Sequence, residues 1–468
     1  MLTADHRRPF DYSAKIRREY ELPLCCSDEN GDESLSSHES HPVLGAMDAP
    51  SLLGIRATED DYTCGPDRPC ANKDCCPKAT LSCNYGEEAC GTSGISPNEV
   101  CWSNCDAKAE CGKNPKVPGQ KCPLNVCCGK WGFCGMTEDY CEKEDNGATG
   151  GCQSNCDQPG PKNKASSQSR VIGYYEGWRA DSACQGMGLK DIPVSSLTHL
   201  YFPFASITPD TYSIAPMDSI KGSLFSEFTD LEKKNPALKT VIAIGGWTFN
   251  DPGPTQKVLS DMVGSARTRE TFIDNLFSFL REYAFDGVDF DWEYPGADDR
   301  GGNDKDGANF VTFLKELDAA NKKQPIKYVV FFTLPTSYWY MRHFDLKAVD
   351  HVDFVNVMSY DLHGVWDSKN PIGQKIYGHT NITEMKQAFD LFWRNDVPAN
   401  KLNMGLGFYG RAFQLQDPSC SKPGCGFKGG ATKGGCSGES GIMSYREIMA
   451  VIDAKKIKPV HDKKAGVK

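Results

Sequence analysis

The stretch Phe285-Asp286-Gly287-Val288-Asp289-Phe290-Asp291-Trp292-Glu293 sets acids at alternate positions. Successive side chains of an extended strand point to opposite faces. Asp289, Asp291 and Glu293 therefore share one face, about 7 Å apart per step at a rise of ~3.3 Å per residue. Val288, Phe290 and Trp292 make the other face apolar. In a closed parallel barrel the apolar face meets a layer of helices and the acidic face points inward. Glu293 then falls at the C-terminal mouth, where barrel enzymes keep their chemistry. Carboxylates stacked in a confined space repel one another, and a shared proton or a raised pKa relieves the repulsion. A carboxylic acid that keeps its proton near neutral pH is what glycoside cleavage needs for its leaving group. The alternative is the solvated acidic face of an edge strand, and the apolar partner face argues against it.

The sequence on either side fits the barrel. Short apolar runs at Val171–Tyr175, Leu197–Phe204, Lys239–Ile244, Asp286–Asp291, Lys327–Thr333, Val352–Met358 and Lys401–Leu406 read as strands. Helical stretches such as Ser260–Tyr283 and Ala308–Asn321 lie between them. In the first of these, Phe272, Leu276, Phe277, Leu280 and Tyr283 recur with the spacing of one buried helix face. Strands alternating with helices indicate an α/β class and a parallel sheet, here the (β/α)8 TIM barrel. Seven strands are legible. The chain stops at Lys468, after a Gly- and Cys-rich insertion that begins near residue 412, so the barrel is expected to be truncated before its eighth strand.

The chain carries 22 cysteines, sixteen of them between Cys64 and Cys156. That density implies disulfides and an oxidising compartment. The adjacent pairs Cys75-Cys76 and Cys127-Cys128 argue against a zinc array, which favours Cys-x2-Cys spacing. The cysteine spacings after Cys70 recur almost unchanged after Cys122, and both runs end in Ser-Asn-Cys, at Cys105 and Cys156. Two modules of one scaffold are therefore expected, at residues 61–108 and 109–157. Residues 1–60 read as a disordered lead-in and 158–169 as a linker; the catalytic barrel takes 170–468. The first thirty residues contain Arg7, Arg8, Lys15, Arg17 and Arg18 but no apolar core of a secretory signal, yet the cysteines point to a secreted, extracellular protein. A net charge of -10 without a basic block speaks against nucleic acid, and no apolar run reaches the ~20 residues of a membrane helix. No metal or nucleotide motif is present, so no cofactor is expected. Asn381-Ile-Thr383 is a glycosylation pattern.

From Arg170 onward the chain resembles the family 18 glycoside hydrolases. The match rests on Asp286-Gly-Val-Asp-Phe-Asp-Trp-Glu293, Ile242-Ala-Ile-Gly-Gly-Trp247, Met358-Ser-Tyr-Asp361 with Trp366, and Phe408-Tyr-Gly-Arg411. Ala243 stands where the family often has Ser. The wording looks most like the killer-toxin-type chitinases of filamentous fungi. The resemblance implies a retaining mechanism in which Glu293 is the acid, Asp291 holds the substrate's N-acetyl group with help from Tyr360, and Asp289 shares a proton with Asp291. It implies Met358 and Asp361 in the acetyl pocket, Arg411 and Asp286 among polar substrate contacts, and Tyr174, Trp247, Tyr294 and Trp366 as stacking aromatics. The implied substrate is chitin and its oligosaccharides.

The second Cys-rich repeat resembles the hevein-type chitin-binding domain. That likeness implies the pairs Cys111–Cys128, Cys122–Cys134, Cys127–Cys141 and Cys152–Cys156. Carried to the first repeat, it implies Cys64–Cys76, Cys70–Cys83, Cys75–Cys90 and Cys101–Cys105. It places Trp131, Phe133 and Tyr140 at the sugar ledge, with Gly129 where the family has a hydrogen-bonding Ser. In the first repeat Pro77-Lys-Ala-Thr-Leu-Ser82 replaces that ledge, so a spacer or a different specificity is expected. The partners of Cys25, Cys26, Cys184, Cys420, Cys425 and Cys436 stay open. The competing reading is an inactive chitin-binding lectin, kept alive by the missing strand. A third is a subunit that helps a toxin partner across a cell wall.

Overall fold

The computed structural model describes residues 64–468, apart from 71–73, 84–89, 91–96, 114, 131, 144–150, 158, 161–168, 181, 183, 185, 218–219 and 370–371. The lead-in at 1–60, Trp131 and most of the expected linker lie outside the described residues. Seven parallel strands run in chain order across one sheet: β1 (Ile172–Tyr174), β2 (His199–Ile207), β3 (Lys239–Gly245), β4 (Gly287–Asp291), β5 (Val329–Pro335), β6 (Phe354–Met358) and β7 (Leu402–Met404). Each pairs with the next in parallel. Among the described residues no eighth strand lies between β7 and β1. The Arg170 side chain spans these two edges, with Nε donating to Asn403 Oδ1 at 2.6 Å and a terminal nitrogen donating to the Asn400 carbonyl at 2.7 Å.

The alternation read from the sequence sets the layers. Phe290 packs against Phe272 and Phe313, and Trp292 against Phe310, in the crossover helices α1 (Ala266–Tyr283) and α2 (Asp306–Asn321). The inner face of the sheet holds a second apolar cluster of Tyr201, Val241 and Phe331, below the acids. The expected helix Ser260–Tyr283 is two helices, Val258–Gly264 and α1. Ser265 breaks them, leaving helical geometry at ψ 154° and accepting a hydrogen bond from the Thr268 N–H. A side-chain oxygen there serves α1 as an N-cap and ends the preceding turn.

After β7 come two small antiparallel pairs, Tyr409–Arg411 with Ile442–Ser444 and Phe413–Leu415 with Phe427–Gly430, and then a helix at Tyr445–Lys455. A disulfide from Cys184 to Cys436 joins this segment to the loop after β1, and Cys420 pairs with Cys425. In the modules the structure pairs Cys64 with Cys76, Cys70 with Cys83, Cys75 with Cys90 and Cys101 with Cys105. It likewise pairs Cys111 with Cys128, Cys122 with Cys134, Cys127 with Cys141 and Cys152 with Cys156.

The second module does not hang free. Arg394, just past helix α3 (Ile382–Trp393), donates to the carbonyls of Asn125 and Asn155 at 3.0 and 2.8 Å and to the Cys127 sulfur at 3.2 Å. Asn395 donates to the Leu124 carbonyl at 2.9 Å. Val126 and Met136 are buried in the same apolar cluster as the barrel's helices.

Candidate active site

Asp289 and Asp291 occupy the inward positions of β4, and Glu293 follows just beyond its end. They are 0%, 5% and 5% exposed. Gly245 on β3 lets the end of this strand approach closely: at φ +107° it has no side chain, and a Cβ there would lie 2.2 Å from the Asp291 carbonyl oxygen. Only glycine fits such a contact.

Each acid has its own donors. Tyr174 Oη donates to Asp289 at 2.7 Å and Asn356 Nδ2 at 3.0 Å. Asn356 in turn accepts from Asn403 Nδ2 at 2.9 Å, so a polar chain runs from Arg170 through the barrel floor to Asp289. Thr333 Oγ1 donates to Asp291 at 2.5 Å. Glu293 is held through backbone and side chain: its N–H donates to Asn250, its carbonyl accepts from Arg300 at 3.0 Å, and its carboxyl accepts a hydrogen bond from the Tyr294 hydroxyl.

Burial pushes all three carboxyls upward. Asp289 reaches about 7 through burial and the charge of Asp291, against the pull of its two donors. Burial pushes Asp291 to about 6, and the Thr333 hydroxyl restrains it. Burial and then the Asp291 charge hold Glu293 well above the ordinary range for a glutamate. An acid that retains its proton thus sits at the mouth, two residues from one that ionises first.

Tyr360, just after β6, stands close enough to Asp291, Asp361, Glu293 and Asp289 for burial and their charges to raise its phenol well above the usual value. Asp361, at φ +57°, is clamped by Arg411, whose Nε and terminal nitrogen lie 2.8 and 2.7 Å from one oxygen. Burial works to raise the Asp361 pKa, but the His379 hydrogen bond and the Arg411 charge outweigh it and hold it below the carboxylate norm. Met358 ends β6, half-buried against the main core.

The aromatics divide. Tyr174 is 44% exposed, with its hydroxyl on Asp289. Trp247, Tyr294 and Trp366 are each at most 8% exposed, and each ring already has a neighbour. Arg300 lies 3.7 Å from the Trp247 ring centroid, Tyr340 stacks 4.4 Å from Tyr294, and Arg411 sits 4.7 Å from Trp366. They build the wall behind the acids rather than an open platform. Asp286 is not at the site. It precedes β4, at the opposite end of the barrel from Glu293 and roughly 16 Å of extended chain before Asp291. Its carboxylate is taken by Lys239 Nζ at 2.8 Å and the Thr240 N–H at 3.0 Å. In the second module Phe133 and Tyr140 are half-buried, and the Tyr140 ring covers Gly135, where a Cβ would come within 2.3 Å.

Sequence reasoning missed Thr333, Asn356, Asn403, Arg300 and His379. Two carried a usable signal: a single polar residue in an otherwise apolar strand, Thr333 in Val-Val-Phe-Phe-Thr-Leu-Pro and Asn356 in Phe-Val-Asn-Val-Met.

Residues 110–156 match the chitin recognition protein family. The chain is 33% identical over 417 residues to "Probable chitinase LysM18" of Penicillium expansum, covering 79% of this chain and 28% of that protein. It is 33% identical over 394 residues to "Killer toxin subunits alpha/beta" of Kluyveromyces lactis, covering 80% of this chain and 33% of that one. It thus spans about a third of the length of these relatives. The crystal structure of the Ostrinia furnacalis Group IV chitinase superposes with a TM-score of 0.56 at 28% identity, over 64% of this chain and 82% of the other. Glycosyl hydrolases family 18 matches residues 170–468, a span that takes in every strand of the barrel, and the chain belongs to that family.

Proposed function

We propose that this chain is a chitinase that cleaves β-1,4 linkages between N-acetylglucosamine units with retention of configuration, using the substrate's own acetamide as nucleophile. The observation that carries the proposal is a Glu293 buried at the barrel mouth, its carboxyl pushed well above the ordinary range by burial and by the charge of Asp291, which lies two residues away on the same face and is raised to about 6. The other carboxylate nearby, Asp361, is held by Arg411 and His379 and is a poor candidate for attack on the sugar. Glu293 gives its proton to the glycosidic oxygen. The acetamide carbonyl oxygen attacks C1 as the C1–O bond breaks, forming an oxazolinium ion. Asp291 accepts the acetamide N–H, and Tyr360 steadies the group. Water then attacks C1, giving a proton to Glu293 and reopening the ring. Asp289 shares its proton with Asp291 and sets how much charge that residue carries.

The second module supports hold on the polymer through Phe133, Tyr140 and Trp131. Ten disulfides among the described residues support an oxidising, extracellular setting. The test is hydrolysis of a fluorogenic chito-oligosaccharide by the chain and by Glu293→Gln. Loss of the general acid should lower kcat by about 10²–10⁴-fold, with oligosaccharide binding kept. A chain that binds but does not hydrolyse, or a variant as fast as its parent, overturns the proposal and leaves a lectin.

A further inference from the structure

The two disulfide modules share a scaffold but differ at the residue that follows Cys101 in one and Cys152 in the other. The Trp102 N–H donates to the Cys76 carbonyl at 2.8 Å, and the Gln153 N–H donates to the Cys128 carbonyl at 2.7 Å. The two residues therefore hold matching backbone positions. Gln153 folds back onto its own module. Its Nε2 donates to the carbonyls of Gly129 and Lys130 at 3.0 and 3.1 Å, and a Cβ on Gly112 would lie 2.3 Å from its Oε1. Trp102 turns outward instead. Among the described residues nothing lies within 4 Å of the equivalent point on Gly65, the counterpart of Gly112. Trp102 is 45% exposed, with Lys78 Nζ 4.4 Å from its ring centroid. The sequence after the adjacent cysteine pair shows the reverse exchange: after Cys-Cys-x-Lys the second module has Trp131 and the first has Ala79. The first module thus has a tryptophan, but at a different position in the repeat, where the second module has the Gln153 amide.

We propose that the first module carries its own chitin-binding site, with Trp102 as the stacking platform and Lys78 holding the ring in place. A flat indole of this exposure suits the apolar C–H face of a sugar ring. The choice of chitin rests on the scaffold it shares with residues 110–156 and on the chitinase reading of the barrel. On this proposal the first module is neither a spacer nor a module of different specificity but a second point of attachment on the same polymer.

The experiment uses the full chain carrying Glu293→Gln, so that the polymer survives, with retention measured on chitin and on cellulose beads. Trp102→Ala and Trp131→Ala are added singly and together; holding by the barrel cleft is constant across the set. Trp102→Ala should weaken retention on chitin by up to about tenfold with either residue at 131, and Trp102→Tyr should restore most of it. Unchanged retention overturns the proposal. So does a loss that Trp102→Tyr fails to restore, and so does equal retention on cellulose. Because hydrolysis is not read, failure here is distinct from failure of the enzyme reading, which the fluorogenic assay decides.

Discussion

Replacing Thr333 with Val keeps the shape of the side chain on β5 and deletes one atom's chemistry: the hydroxyl that donates to Asp291 at 2.5 Å. Burial has already driven Asp291 up to about 6, and this donor is what restrains it. A hydrogen bond to a charged group contributes about 1.5–3 kcal/mol. At 1.36 kcal/mol per pH unit, its loss should move the Asp291 titration up by about one to two pH units. If ionised Asp291 holds the acetamide, the acid limb of kcat/KM against pH must follow by the same amount. The alkaline limb, set by the Glu293 proton, should stay in place. Stability should respond in parallel. The folded state keeps a proton on Asp291 that the unfolded chain releases near pH 4, so stability falls as pH rises from there to about 6. In Thr333→Val the fall should continue to higher pH, and Thr333→Ser should behave as the parent. The profile is read on a fluorogenic chito-oligosaccharide. An acid limb that stays within a few tenths of a pH unit refutes the reasoning, because Asp291 would then not be the group whose ionisation switches activity on.

His363 sits between Asp367 and Glu384, 2.8 and 3.0 Å away. Burial works to lower its pKa, but the two carboxylates outweigh it and raise it to about 9. Its contribution of about 3 kcal/mol should be full below pH 6.5 and lost as pH rises through about 9. A plot of Tm against pH should show that decline in the parent and not in His363→Gln. The Cys184–Cys436 bond closes a separation of 252 residues, and replacing both with Ser should lower stability by about 2–5 kcal/mol. Equal denaturant midpoints would show that the bond contributes nothing. Arg394→Ala removes the guanidinium that holds the second module to the barrel. It should raise the radius of gyration in small-angle scattering while leaving hydrolysis of soluble oligosaccharides unchanged.

What the sequence made legible was whatever depends on neighbours along the chain. The period of two in Asp289, Asp291 and Glu293 puts them on one face in any strand, and the same period sends Phe290 and Trp292 to the helices. The repeated cysteine spacing marks two copies of one scaffold for the same local reason. What it did not show depends on which strand lies beside which. Thr333 is 42 residues from Asp291 and Asn356 is 67 from Asp289, and only the parallel register of β4 with β5 and of β5 with β6 brings them together. Burial was the other blind spot. A tryptophan at a strand end reads equally well as an open sugar platform or as a wall, and Trp247 is a wall because Arg300, 53 residues away, covers its ring. Asp286 errs in the opposite direction: its letter belongs to the acidic run, but its position precedes the strand, where Lys239 and not the mouth is its neighbour. The charge on Asp291 is thus set in part from outside its own strand, by Thr333 and by the depth of the barrel. A substitution on β5 should therefore retune the chemistry of β4 while every residue of the acidic motif stays in place.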